Sequence, residues 1–223
     1  MKKTMLIFCL LIAGLFTTQA LAENYWPKSY FVQAGVNGGY SNGDLNERAL
    51  SLEDTTGEMM KVYPPDIGFL ISPEIVAGVN MRFFSLSILF QYTTRSTDMV
   101  DFDDDKETDM TFWRFGFEFV YNINWPEDFQ VGLGLGYSFS TLKASSSSFI
   151  DDEAYNTEYM GLGVNFILNA HYYFTEHIAI VPSVKIYENW FKNIYTKASE
   201  LCDADPYLWQ TFFTAGLSIQ YQF

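Results

Sequence analysis

The last fifteen residues alternate without a break. Trp209, Thr211, Phe213, Ala215, Leu217, Ile219, Tyr221 and Phe223 take one parity; Gln210, Phe212, Thr214, Gly216, Ser218, Gln220 and Gln222 take the other. Successive side chains of a strand point to opposite faces, so a period of two marks a strand lying between two different surroundings. Residues 110–124 repeat the pattern, with Trp113, Phe115, Phe117, Phe119, Tyr121 and Ile123 set against Arg114, Gly116, Glu118 and Asn122. Eight such segments occur, at about 29–40, 67–82, 84–96, 110–124, 129–142, 158–174, 178–191 and 209–223.

The connections alternate in length. Arg82-Phe83, Asn124 to Asp128 and Thr175 to His177 are tight, whereas 41–66, 97–109, 143–157 and 192–208 are long, polar and mostly acidic. In a meander this places every short turn at one end and every long loop at the other. The pattern predicts an all-β fold, an eight-stranded antiparallel up-and-down transmembrane β-barrel with long loops outside. Pro73 and Pro182 fall inside segments, where a central ladder lacks their N–H, and they predict bulges or local defects.

Volume decides which face points inward. An eight-stranded interior is just filled by side chains or holds one small ligand. The apolar parity carries Phe84, Leu86, Ile88, Phe90 and Tyr92 on one segment and Phe129, Val131, Leu133, Leu135, Tyr137 and Phe139 on another. That set overfills a lumen. Gly132, Gly134, Gly136, Ser138, Ser140, Gly161 and Gly163 do not. A soluble, lipocalin-like barrel with its apolar face inside is therefore disfavoured, and the rings need lipid. Rings also gather at the two ends: Tyr40, Tyr92, Trp113, Phe139, Tyr159, Trp190 and Trp209 near the loops, and Phe84, Tyr121, Phe129, Tyr172, Phe174, Tyr221 and Phe223 near the turns. Two aromatic girdles around an aliphatic band are the pattern of a membrane barrel. The 18% aromatic and 18% charged content follows from such a surface.

Residues 1–22 read as a secretory signal peptide, leaving 23–223 as the barrel domain. Lys2 and Lys3 precede an apolar stretch from Met5 to Phe16, and Ala20-Leu21-Ala22 forms the cleavage site. The apolar stretch is too short to span a bilayer. Cys9 lies within it, so only Cys202 remains and no disulfide or thiolate metal cluster is expected. Removing two lysines and no acid sharpens the net charge from −14 to −16, which excludes general nucleic-acid binding.

On the leader, the eight segments and the ending Leu217-Ser-Ile219-Gln-Tyr221-Gln-Phe223, the chain resembles the small eight-stranded outer-membrane barrels of Gram-negative bacteria, the OmpA/OmpX-type and opacity-protein-like group. The resemblance implies the bacterial outer membrane. It also implies recognition of Leu217, Ile219, Tyr221 and Phe223 by the barrel-assembly machinery. Lipid and lipopolysaccharide are the implied surroundings.

The inward parity carries Glu74, Arg82, Arg95, Arg114, Glu118 and Lys185, joined by Asn80, Gln91, Asn165, Asn169, His171 and Tyr187. Charges inside a narrow barrel are costly unless paired. Short-turn registers set Glu74 near Arg95, and Glu118 near Arg82 and Arg114, with the Gly/Ser wall making room for the arginines. This predicts a salt-bridged plug. No catalytic constellation, cofactor or metal site is expected. His171 lies at the turn end and His177 in a turn, away from the outer leaflet where lipid-modifying barrels act. The acidic run Asp101 to Asp109 starts like a Ca²⁺ loop, but Lys106 and Phe112 replace the required Gly and Glu. Ser145 to Ser148 reads as a flexible tip, and the loops are candidates for an extracellular ligand. The expected role is structural, adhesive or surface-interacting and non-enzymatic. A narrow porin-like channel and a lipid A-modifying enzyme are the alternatives.

Overall fold

A computed structural model describes residues 29–223 except 54–56, 58, 82, 103–106, 125–127, 151–152 and 197–199. The leader therefore lies outside the described residues. Ten strands follow in order: β1 (Ser29–Gly43), β2 (Leu50–Glu53), β3 (Met59–Val62), β4 (Phe69–Asn80), β5 (Phe84–Asp98), β6 (Glu107–Asn124), β7 (Phe129–Ile150), β8 (Glu153–Tyr173), β9 (Ile178–Thr196) and β10 (Glu200–Gln222). Eight of them close into an antiparallel barrel in the order β1-β4-β5-β6-β7-β8-β9-β10 and back to β1. These are the eight segments read from the alternation. The hairpin β2–β3 is an addition carried by the first long connection.

Register fixes the barrel's geometry. Followed across hydrogen-bonded partners, Tyr40 meets Phe213, then Ile186, Phe166, Leu135, Phe119, Leu86 and Val79, and the path returns to β1 at Tyr30. The wall thus closes with a shear of ten residues, from Tyr40 to Tyr30, and its strands tilt roughly 40° from the axis. Each residue on this path is apolar and faces out. Leu135 is 58% exposed and Leu217 58%, an arrangement that only lipid stabilises. Tyr40 packs against Phe69, and Trp113 against Phe139, in the outer girdle; Tyr172 packs against Phe174, and Tyr221 against Phe223, in the inner one.

Above the outer girdle the polarity inverts. Met110, Phe112, Leu142, Tyr159, Phe191 and Ile194 point inward and are buried, while Asp109, Asn156 and Lys143 face out. Tyr159 is therefore a core residue and not a girdle ring. The long loops are mostly wall: β7 and β8 pair up to Ile150↔Glu153, β5 and β6 to Asp98↔Glu107, and β9 and β10 to Thr196↔Glu200. Ser145 to Ser148 belongs to β7. The buried Ser147 donates to Ala144 O and Thr157 Oγ1, so this is no flexible tip.

The first connection folds back over the mouth. Leu45, Met60, Val62 and Ile67 drop into the apolar chamber, and β3 crosses to the far wall, pairing Lys61↔Phe149 and Val62↔Ser148 on β7. Its return leg lies along β5, with Asp66 N donating to Asp98 O and Val100 N to Pro64 O. Leu45 N donates to Gln210 Oε1, Trp209 N to Asp44 Oδ2 and Ala49 N to Asp101 Oδ2.

Both prolines sit where a ladder is interrupted, and neither makes a bulge. The β8–β9 ladder skips from Asn169↔Ser183 to Tyr172↔Ile180 around Pro182 without changing register. The β4–β5 ladder ends at Glu74↔Gln91, next to Pro73, although both strands run on. Side chains bridge the gap: Thr93 Oγ1 donates to Ile71 O, Arg95 Nη1 to Phe69 O (2.6 Å), Arg95 Nη2 to Asp66 O (2.7 Å) and Thr97 Oγ1 to Asp66 O (2.8 Å).

Candidate functional site

The lumen at membrane depth is organised around one lysine. Alternation directs Glu74 of β4, Glu118 of β6 and Lys185 of β9 inward, and all three are buried. Lys185 Nζ donates to Glu74 Oε1 and Oε2 at 3.1 and 3.0 Å and to Glu118 Oε1 at 2.9 Å. Asn165 Nδ2 donates to the same Glu118 oxygen, and Gln91 Nε2 to Glu74 Oε2 at 2.8 Å. The carboxylates outnumber the ammonium here, and Arg114 restores neutrality one layer up. Its Nη1 donates to Gln91 Oε1 (2.9 Å) and its Nε to Ser140 Oγ (3.2 Å). The guanidinium lies over the Tyr187 ring at 3.7 Å, with Phe212 and Phe112 at 4.8 and 5.0 Å. Lys185 thus pairs with both acids across the bore, as buried charge requires, and Arg114 joins them through Gln91. Stacking on three rings suits a weakly hydrated, planar guanidinium.

Of the six charged lumen candidates, this arrangement gathers Glu74, Arg114, Glu118 and Lys185. The pairing differs from the one expected. Glu74 and Glu118 turn to Lys185 across the bore instead of to arginines on neighbouring strands. Tilted strands in an eight-stranded lumen bring opposite walls within reach of a long side chain, which neighbour-only reasoning omits. Arg95 lies above this layer and clamps β4; Arg82 falls outside the described residues. The glycine wall also serves other partners. A Cβ on Gly132 would stand 2.1 Å from Asn169 Oδ1, and one on Gly136 would stand 2.4 Å from Asn165 Oδ1. These glycines admit amides, while Ser140 meets Arg114.

Below the charged layer, amides and hydroxyls continue to the turn end. Asn80 Nδ2 and Tyr173 OH donate to Gln222 Oε1, and Gln220 Nε2 to Tyr173 OH. His171 is buried here, stacked on Tyr173, and His177 Nδ1 bonds Gln222 O at 2.9 Å. Both histidines are at the end opposite the apolar chamber. Above the charged layer, that chamber and the crossing β2–β3 connection fill the mouth. Sequence reasoning missed the chamber. The inward apolar run Met110, Phe112, Leu142 and Phe191 would have revealed it once the parity was followed past the girdle.

On the outer surface, Leu217, Ile219, Tyr221 and Phe223 face lipid along β10 beside β1, and Phe223 N donates to Tyr30 O. Glu188 also faces out, at girdle height. Its Oε2 accepts from Trp209 Nε1 (2.8 Å) and Thr211 Oγ1 (2.9 Å). Asp101 adopts a left-handed φ of 61° and pins the crossing connection through Ala49 N. Cys202 lies in the β10 backbone pairing with Ile194, and its side chain is outside the described residues.

Residues 8–221 match the family model described as outer membrane protein beta-barrel domain. No curated protein sequence matches the chain. Among solved structures, the outer membrane protein OprG from Pseudomonas aeruginosa is similar at a TM-score of 0.58 and 10% identity, over 90% of this chain and 98% of that one. A major outer membrane protein from Thermus thermophilus is similar at 0.53 and 10% identity, over 89% and 100%. Ail, the attachment invasion locus protein of Yersinia pestis, in complex with the heparin analogue sucrose octasulfate, is similar at 0.50 and 14% identity, over 89% and 100%. At these identities the likeness is one of fold.

Proposed function

Since the chain belongs to the outer membrane protein β-barrel domain family, we propose that it is a sealed outer-membrane barrel whose work is done by its exterior. The reading rests on one observation: Lys185 is held between Glu74 and Glu118 across the bore, with Arg114 stacked one layer above. A permeating ion would have to break charge pairs that are buried from water, at a cost of several kcal/mol. The crossing β2–β3 connection stands over the same axis. The barrel therefore presents a rigid, acidic crown of hairpins to the exterior, in a structural or surface-interaction role without catalysis. Export through a leader cleaved after Ala22 brings residues 23–223 to the membrane. The outward Leu217, Ile219, Tyr221 and Phe223 are the terminus that the assembly machinery engages.

Planar-bilayer recording tests the sealed lumen. The purified full-length barrel is expected to give no stable unitary conductance, and a steady open level from single insertions would overturn the reading. A Glu74→Ala/Lys185→Ala/Arg114→Ala variant that still folds is expected to leak, because the charge pairs and the longest lumen side chain are gone.

A further inference from the structure

We propose that Glu188, with Trp190 and Trp209, forms a binding site on the outer wall for the ammonium group of a cationic amphiphile held in the outer half of the membrane. The proposal rests on the outward wall lying in the bilayer and is independent of whether the lumen is sealed. Its height follows from register. Trp190 pairs with Trp209 in the outer girdle, and Glu188, paired with Thr211 on β10 and Val164 on β8, is the next outward position toward mid-membrane. Among the described residues it is the one charged side chain that faces lipid between the two girdles. An ionisable group in such a position is costly and marks a functional site.

Among the described residues, no cation of this chain neutralises it. Its outward neighbours Val164, Ile186, Trp190 and Thr211 are uncharged, and Glu188 takes part in no ion pair with the described residues. Lys192, the next cation on the same face of β9, lies instead over the Tyr207 ring at 5.6 Å. The carboxylate is nevertheless held in one orientation. Its Oε2 accepts from Trp209 Nε1 at 2.8 Å and from Thr211 Oγ1 at 2.9 Å, whereas Oε1 accepts nothing from the described residues. Two donors thus fix a lipid-facing charge and leave its other oxygen open.

The chemistry of these residues selects an ammonium. A carboxylate repels the anionic groups of lipopolysaccharide, so the occupant is not the lipid that surrounds the barrel. Indole faces attract a cation within about 6 Å of the ring centroid. Trp190 stands two residues along β9, about 7 Å away on the same face, and Trp209 is tied to the carboxylate by its own N–H. A carboxylate beside two indoles is a combination that holds alkylammonium groups. The wall also offers a place for an apolar tail. Val164 and the half-buried Ile186 are less exposed than the flanking Phe166 and Phe213, at 51% and 55%, so a shallow trough leads from Glu188 toward mid-membrane. A tail in this trough brings its head to the carboxylate at high effective concentration.

Native mass spectrometry of the full-length barrel in dodecyl maltoside, an uncharged detergent, tests this. The probes are dodecylamine, dodecanol of the same tail, and the short-tailed butylamine. The wild type is expected to retain dodecylamine about tenfold better than dodecanol, as an ion pair and a cation–π contact together supply, and to retain butylamine least. Glu188→Gln keeps an acceptor for the indole and the hydroxyl, and is expected to keep its heat-modifiable mobility and lose the preference. Asp109→Asn, which removes a charge from the exposed outer wall above the girdle, is expected to retain it. Trp190→Leu leaves the carboxylate in place and is expected to lower the preference about threefold. Equal retention of amine and alcohol by the wild type would overturn the proposal, as would a folded Glu188→Gln variant with the wild-type preference or an Asp109→Asn variant that has lost it. An unchanged preference in Trp190→Leu would overturn the role given to the ring. Butylamine retained as well as dodecylamine would overturn the amphiphile assignment. Conductance is a separate axis: an open channel would refute the sealed lumen and leave this site standing.

Discussion

Lys185 decides more than any other residue, because it alone separates two buried carboxylates. Lys185→Ala would leave Glu74 and Glu118 facing each other without a cation, a loss of about 3–5 kcal/mol in barrel stability. Denaturant titration of the heat-modifiable mobility in micelles would measure it. Lys185→Met combined with Glu74→Gln and Glu118→Gln removes the charges together and is expected to recover most of that loss, since replacing a whole buried set by neutral groups of similar volume is often near neutral. On the glycine wall, Gly136→Val would drive two methyls into the Asn165 amide and cost about 1–3 kcal/mol by overpacking, read in the same titration. That Glu74, Arg114, Glu118 and Lys185 share the inward parity was legible from alternation alone. Their partners were not, because parity names a face while the pairings of Lys185 span the bore. The indole and hydroxyl that cap Glu188 were equally hidden, since only the β9–β10 register sets Glu188 opposite Thr211.

At the scale of the strand, one alternation serves two solvents. Within the band the outward parity is apolar; above Trp113 and Phe139 the same strands carry their apolar residues inward, as in a soluble protein. The switch locates the membrane boundary, and charge substitution should map it. Leu135→Lys, mid-band and facing lipid, is expected to cost about 2–4 kcal/mol. Thr111→Lys, one outward position above Trp113, should stay within about 0.5 kcal/mol, as surface changes do. Comparable costs at both sites would show that the boundary is misplaced. The eight segments, their order and their turns were legible because lipid imposes a strict period. The extensions above the outer girdle were not, because their outward residues are polar, and a run such as 143–157 reads as loop when only apolar-out strands are sought. The hairpin β2–β3 escaped for another reason: its four-residue strands are too short to establish a period, and only the chamber beneath explains why Met60 and Val62 are apolar.

At the scale of the whole molecule, the shear from Tyr40 to Tyr30 fixes a narrow bore, across which Lys185 reaches carboxylates on two other strands. Closure depends on β1 and β10, paired from Phe31↔Gln222 to Gly43↔Gln210. Unheated protein is expected to migrate faster than boiled protein, and Gly216→Val, whose side chain would collide with Asn37 across that junction, should shrink the compact fraction. The gap between β4 and β5 has a mechanical meaning. Elsewhere adjacent staves are stitched by backbone along most of their length, but between Gln91 and the backbone bond from Asp66 N to Asp98 O at the rim the ties among the described residues are the side chains of Thr93, Arg95 and Thr97. Side-chain ties yield one at a time, whereas a ladder shares its load. A pull on the crown would therefore concentrate strain at this line, and the wall would part between these two staves once the backbone bonds of the return leg to Asp98 and Val100 had yielded.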